Sequence, residues 1–416
     1  MCLRGRIQVV PDKSISHRAV ILSAIAEGES FIKNLSPSVD VKRTLNAIKL
    51  LGANVKKYKD GLKIRGGFIR EPEKPIYCGN SGTTTRLMMG ALSGYSLFGV
   101  FYGDNSLSKR PMKRVTDPLR LMGARITGRE DASLLPIAIS GGNLKGIKYE
   151  LPVASAQVKS AILLAGLNAD GVTTVIEPLK TRDHTERMLS NMGAHIEVSQ
   201  NTISIKKSRL TACEFEVPGD FSAAAFLITL GVLHPDADFI IENVNLNVTR
   251  TGFLKILESM GCHIDVSIWE KDPEPVGEIH VKSCRDLKGT VVSGEIVPSA
   301  IDELPLLAIL GIFAEGVTIL RDARELRFKE SDRISSIVVE LRKLGVKIQE
   351  LDDGFVVENS KITGNAVLNS HGDHRIAMAL EVLRQVSGAD FKIVGTEWVR
   401  ISFPDFYMKL EELRKC

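Results

Sequence analysis

Five times along the chain an apolar helical stretch ends in a glycine turn and runs into a segment of alternating apolar residues. The copies are LLGANV (Leu50–Val55), LMGARI (Leu121–Ile126), NMGAHIEV (Asn191–Val198), SMGCHIDV (Ser259–Val266) and KLGVKI (Lys343–Ile348). Their glycines, at 52, 123, 193, 261 and 345, stand mostly about 70 residues apart, longer than a solenoid period. Each glycine occupies the place just past a helix end, where a left-handed conformation carries no Cβ clash. A further apolar element precedes the helices, as in AEGESFIKNL from Ala26, DGVTTVIEP from Asp170, PDADFIIEN from Pro235 and EGVTILRD from Glu315. Each repeat therefore reads strand, loop, helix, glycine turn, strand. Repeated βαβ-like segments of this length predict an α/β protein with several small sheets. A sixth, degraded copy lies near Val386–Ile393, and the alternation predicts a buried face carrying Ala194, Ile196 and Val198.

A chain of 416 residues exceeds what one growing core supports, so two domains are expected. If six repeats divide evenly, the halves meet near Pro218–Ser222, where VPGDFS supplies the breakers for a hinge. The strand before Pro11 belongs to no repeat and is assigned to the C-terminal half, giving domains 1–12 plus 221–416 and 13–220. Lys and Arg number 54 against 50 Asp and Glu, which leaves no global field to draw in nucleic acid or a membrane. Cys2, Cys78, Cys213, Cys262, Cys284 and Cys416 fall far apart without a C-x-x-C pair and read as isolated reduced thiols. The stretch MCLRGRIQVVPDKS is too short in apolar residues for a signal peptide, and the runs at 226–233 and 304–313 are shorter than the roughly 18 residues of a membrane span. A cytoplasmic protein is expected, with small-molecule substrates, no nucleic-acid or membrane partner, and a monomeric state.

The chemistry concentrates at helix starts. LRFKESDR (Leu326–Arg333) gathers Arg327, Lys329 and Arg333 with Glu330 and Asp332, and a helix through it sets Lys329 and Arg333 on one face. PDKSISHR places Lys13, Ser14 and Arg18 where a helix opens; CGNSGTTTR does the same with Asn80, Gly82 and Arg86, and HGDHR with His374 and Arg375. Such ends present backbone N–H groups and a favourable dipole to anions. Taken singly, Ser14 and Thr83 read as plain helix caps. Lys109 and Lys113 read as a solvated face, whereas Arg110 before Pro111 is expected at a helix mouth. Asp302 and Glu303 precede a strongly apolar helix; the dipole suffices to explain Glu303, while Asp302 beside the Lys329 cluster could accept a proton from a substrate hydroxyl. His17, His184, His195 and His263 form no ligand cluster, so neither a metal nor a cofactor is expected.

In this order, DKSISHRA, GNSGTTTR, RPMKRV, SAQVKSA, RFKESDR, GDHRIAM and SFPDF resemble the 5-enolpyruvylshikimate-3-phosphate synthase family across nearly the whole chain. The resemblance implies two hinged domains, each of three βαβαββ repeats in an inside-out α/β barrel. It also implies transfer of the enolpyruvyl group of phosphoenolpyruvate to the 5-hydroxyl of shikimate 3-phosphate, by addition and elimination, on the route to chorismate and the aromatic amino acids. Carried over by motif, Lys13, Ser14, Arg18, Ser155, Gln157, Asp302 and Lys329 would bind shikimate 3-phosphate. Lys13, Gly82, Arg110, Gln157, Arg333 and Arg375 would bind phosphoenolpyruvate, with Asn80 and His374 nearby. Asp302 resembles the base at the 5-hydroxyl, and Glu330, with Lys13, the group that protonates the methylene carbon.

Ala156, Leu87 and Ile401 depart from the commoner pattern of Ser, Pro and Lys at those places, and PDKS lacks the usual Gly before Asp12. SAQV, RDHTE at Arg182 and NVTR at Asn247 resemble the second, often glyphosate-tolerant class, in which Arg182 would assist shikimate 3-phosphate binding. Gly82, however, stays Gly where a tolerant member can carry Ala, which favours a glyphosate target. Two rivals are weaker. A UDP-N-acetylglucosamine enolpyruvyl transferase usually carries a loop Cys that the RPM segment lacks. A non-catalytic nucleic-acid-binding protein would need more than 6% aromatic residues and a cationic stripe.

Overall fold

The computed structural model describes residues 2–269, 273–363 and 365–414. The chain forms two compact units: Pro11–Val217, here the first unit, and the opening ten residues together with the chain from Pro218 onward, here the second. All five turn glycines have positive φ, from 79° at Gly345 to 113° at Gly123. Gly388, in the degraded sixth copy, does too, at 63°.

Among the described residues the first unit has three four-stranded sheets, and the second two four-stranded sheets and a two-stranded one. The four-stranded sheets share one plan. A strand such as Gly28–Lys33 pairs antiparallel with Gly61–Gly66, which pairs antiparallel with Asn54–Tyr58, while a strand from elsewhere in the unit, here Glu214–Glu216, joins the other side in parallel. In the second unit Leu3–Gln8 takes that parallel place beside Ala237–Asn245, so the N-terminal strand is part of this unit's sheet. Among the described residues the sixth repeat keeps the parallel pair Val367–Asn369 with Lys392–Val394.

One expectation holds only in part. The strand after each glycine turn is the sheet edge, yet its inward face is covered: Ile126 and Ile348 are buried, and Ala194 and Ile196 pack against the core, whereas Val198 is 53% exposed. Burial is fuller on the hairpin partner, where Ile203 and Ile205 of Thr202–Lys206 are covered. Alternation is common to both strands, so sequence pattern alone does not tell an edge from its neighbour.

Each repeat also carries a helix ahead of its main strand, and these helices form the cores. In the first unit they are Lys13–Ile25, Gly82–Ser93 and Ala156–Gly166; in the second, Phe221–Leu233, Leu304–Phe313 and His374–Ser387. Phe221–Leu233 and Leu304–Phe313 are apolar nearly all round and covered accordingly, with Phe221, Ala224, Leu227 and Ile228 at 2% exposure or less. A Cβ on Gly90 would stand 2.2 Å from the Ala161 carbonyl oxygen, so glycine is what lets two of these helices touch.

Cys78, Cys213, Cys262 and Cys284 are free, and burial pushes the Cys78 thiol up to about 12. Cys262 and Cys284 are not isolated from each other: burial, and then Cys284, push the Cys262 thiol up. Cys2, moreover, is disulfide-bonded and not a reduced thiol, because spacing along a chain does not bound distance in the fold. Cys416 lies outside the described residues. No single helix among the described residues is long and apolar enough to cross a membrane.

Candidate active site

In the first unit the starts of the three core helices carry most of the residues singled out above. Asp12 caps the first, its carboxylate accepting from the Ile15 amide at 2.8 Å, and Ser81 caps the second. Ser14 and Thr83 are therefore not the caps they resemble, since a shorter-range partner sits two residues ahead of each. Ser155 caps the third, accepting from the Val158 amide at 3.5 Å.

These ends are wired together. Arg18 is buried, with its guanidinium donating to Thr185 Oγ1 at 2.7 Å, Ser160 Oγ at 2.8 Å and the Ser14 carbonyl at 2.9 Å. Gln157 accepts from Arg86 Nη1 at 2.5 Å and donates to Thr83 Oγ1 at 2.9 Å. Lys13 Nζ lies 3.2 Å from Asp40 Oδ2. Asn80 donates to Asp104 and accepts from Arg110, which is 7% exposed and follows a 3-10 turn at Leu107–Lys109. The next helix begins at Lys113, so Arg110 is held ahead of it and not at its mouth. A Cβ on Gly82 would stand 2.9 Å from Arg86 Nη1 and 3.6 Å from Arg110 Nη1, which leaves glycine as the residue that gives the two guanidiniums room.

Beneath this cluster, Lys159 Nζ is buried 2.9 Å from Glu177 and 2.6 Å from Glu186. Burial alone would lower the Lys159 ammonium, but the two carboxylates more than offset that and hold it above its ordinary value. Burial in turn pushes Glu186 up, against the pull of Lys159. The cluster ties down the segment that carries Arg182 and Thr185. His17 is neutral packing: burial, then Lys13 and Arg18, drive its pKa well down, and its Nδ1 meets Thr44 Oγ1 at 2.7 Å.

In the second unit LRFKESDR is not one helix. A 3-10 turn covers Arg324–Phe328 and the α-helix begins only at Arg333, because the Asp332 side chain caps it by accepting from the Ser335 amide at 3.1 Å. Lys329 and Arg333 nevertheless reach the same carboxylate. Asp302 Oδ1 is 3.8 Å from Lys329 Nζ and 3.1 Å from Arg333 Nη1, and its Oδ2 is 3.6 Å from Arg375 Nη2. Arg333 also donates to Glu330 at 2.6 Å and to Asp373 at 2.8 Å. Burial would lower the Arg333 guanidinium; Asp373, Glu330 and Asp302 more than reverse this and hold it above its usual value. Burial likewise would raise Asp373, and Arg333 holds it below the usual carboxylate range.

Asp373 caps the His374–Ser387 helix, accepting from the Arg375 amide at 2.9 Å, and Arg375 Nε is buried with no acceptor among the described residues. Glu303 departs from the simple dipole account. Its side chain is wholly buried, accepts from Ser222 and faces Arg250 and Arg375. Sequence reasoning also passed over Thr185, Ser160, Asp40 and Asp373. They carry no charge-motif signal of their own, and only the fold sets them against Arg18, Lys13 and Arg333.

Cationic, buried helix starts in both units, with Asp302 and Glu330 beside cations in one of them, suit an enzyme that handles anionic substrates. The family model of EPSP synthase (3-phosphoshikimate 1-carboxyvinyltransferase) matches residues 2–410. The 3-phosphoshikimate 1-carboxyvinyltransferase of Thermotoga neapolitana is 48% identical over 99% of this chain and 97% of its own, and that of Bacillus subtilis 43% over 99% and 98%. The EPSP synthase structure from Acinetobacter baumannii superposes with a TM-score of 0.86 at 40% identity, covering 99% of this chain and 96% of that one. The enolpyruvyl transferase NikO from Streptomyces tendae shares the fold, with a TM-score of 0.79 at 17% identity.

The chain belongs to the EPSP synthase, or 3-phosphoshikimate 1-carboxyvinyltransferase, family. It transfers the enolpyruvyl group of phosphoenolpyruvate to the 5-hydroxyl of shikimate 3-phosphate, with release of phosphate, in aromatic amino acid biosynthesis. The reading as a UDP-N-acetylglucosamine enolpyruvyl transferase is set aside.

Proposed function

We propose that the residues at these helix starts divide the two substrates and the proton transfers among them as follows. In the first unit Lys13, Ser14, Arg18, Ser155, Gln157 and Arg182 hold shikimate 3-phosphate, and Lys13, Asn80, Gly82, Arg110 and Gln157 hold phosphoenolpyruvate. In the second unit Lys329 contributes to the sugar phosphate and Arg333, His374 and Arg375 to phosphoenolpyruvate. Asp302 takes the proton of the 5-hydroxyl as its oxygen attacks C2, and Glu330, with Lys13, delivers a proton to C3. The tetrahedral adduct then loses a C3 proton and phosphate, and the double bond returns. Cations fixed before the addition stabilise charge that builds during it without reorganising at that moment. The observation that carries this reading is Asp302, with three cations within 4 Å of its carboxylate. Phosphate release should require shikimate 3-phosphate and phosphoenolpyruvate together; release with either omitted would overturn the assignment.

The same reading covers the subgroup. We place the chain with the second class on the strength of Ala156 and Arg182, and keep it as a glyphosate target on that of Gly82; we also propose that it is a cytoplasmic monomer. An added methyl at residue 82 must displace Arg86 Nη1, and with it the Arg86–Gln157 hydrogen bond, at the point where the longer inhibitor needs most room. Gly82→Ala is expected to raise the glyphosate inhibition constant by about tenfold relative to the phosphoenolpyruvate KM, a difference of about 1.4 kcal/mol. Equal changes in both constants would refute the steric argument.

A further inference from the structure

Glu303 is a carboxylate held entirely out of water at the start of an apolar helix. A helix dipole contributes far less than the cost of burying that charge alone, so its partners must explain it. Glu303 Oε1 accepts from Ser222 Oγ, which lies on the first turn of the Phe221–Leu233 helix. The same oxygen stands 3.8 Å from Arg250 Nη1 and 3.6 Å from Arg375 Nη1. Arg250, itself 1% exposed, is anchored by Ser222 Oγ at 2.7 Å and Asp220 Oδ1 at 3.2 Å.

The successive residues Asp302 and Glu303 thus grip one guanidinium. Arg375 Nη1 donates to the Asp302 carbonyl at 3.0 Å and faces the Glu303 carboxylate, while Nη2 faces the Asp302 carboxylate at 3.6 Å. Two acidic side chains compete for Arg375, and their balance sets where it points. Asp302 also has Lys329 and Arg333.

We propose that Glu303, braced by Ser222 and Arg250, is a positioning residue for Arg375. Its charge draws the guanidinium away from the Asp302 carboxylate and holds it ready for phosphoenolpyruvate. Without that charge Arg375 turns to the remaining carboxylate and the pair tightens, so the cation is withdrawn from the substrate. The inference rests on the reading that Arg375 binds phosphoenolpyruvate.

Steady-state kinetics of the full chain, with both substrates varied and rates expressed per folded enzyme, test it. Glu303→Gln keeps the shape and the hydrogen bond from Ser222 but removes the charge. It should raise the phosphoenolpyruvate KM about tenfold and leave the shikimate 3-phosphate KM within about twofold, as expected for loss of one fixed charge-assisted contact. A merely structural role would lower the active fraction and leave both KM values in place, which would overturn the proposal. Ser222→Ala, which loosens the brace and keeps the charge, should move the same KM by about threefold in the same direction; if Glu303→Gln does not fold, an unchanged value here overturns the proposal on its own. Arg375→Lys separates the two layers. If it leaves the phosphoenolpyruvate KM unchanged, the assignment of Arg375 fails. If it raises that KM while Glu303→Gln does not, only the positioning role fails.

Discussion

Asp302→Asn is expected to lower kcat by about 10²–10⁴-fold, the usual worth of a positioned general base, with the melting temperature shifted by only a few degrees. Asparagine keeps the shape of the side chain and loses its basicity. The cations it leaves behind are not stranded: Arg333 retains Asp373 and Glu330, and Arg375 retains Glu303. The substitution therefore separates chemistry from folding more cleanly than changes elsewhere in the cluster would. Single-turnover phosphate release, measured with both substrates saturating, gives the chemical step directly. A variant that turns over within tenfold of the parent enzyme would remove Asp302 from proton transfer and leave it as a scaffold for its three cations.

The architecture was legible because its punctuation is chemical. Five glycines with positive φ mark five repeats, and the sixth is recognisably worn in the sequence and reduced to two strands in the fold. What the pattern did not give was depth. Val198 alternates like a buried strand residue and lies on an exposed edge, since alternation reports a strand's two faces and says nothing of its place in the sheet.

The helix-start motifs of the candidate site were legible for a related reason. They sit where buried core helices begin, and helix starts have a recognisable grammar of small, polar and acidic residues. That grammar erred by a few residues at Asp332, which moved the helix start beyond Lys329, and at Ser14 and Thr83, where the caps lie two residues earlier. Glu303 was misread for a deeper reason. Its partners Ser222, Arg250 and Arg375 lie on three other segments of the chain, and no local pattern announces a contact of that range.

Arg333→Met should be the most destabilising single change in the second unit, by about 3–5 kcal/mol, because it leaves buried carboxylates without their cation. Asp373 is wholly buried, Arg333 is 1% exposed, and Glu330 and Asp302 lean on the same guanidinium. The effect carries a pH signature whose sign is fixed. In the parent, Arg333 holds Asp373 below its ordinary value, so this pair's contribution is present above the unfolded pKa, roughly 3.9, and is lost as pH falls through the folded value. In the variant burial acts on Asp373 against only His374 and the hydrogen bonds from Ser331 and the Arg375 amide, so its pKa rises and stability falls as pH climbs from about 4 towards neutrality. The gap between parent and variant should therefore be smallest near pH 4 and widest near pH 7. Both tryptophans, Trp269 and Trp398, belong to the second unit, so fluorescence during urea unfolding reports on the part of the molecule that contains the change. A gap independent of pH would mean that the loss is one of packing alone, and that Arg333 does not set the charge state of the carboxylates around it.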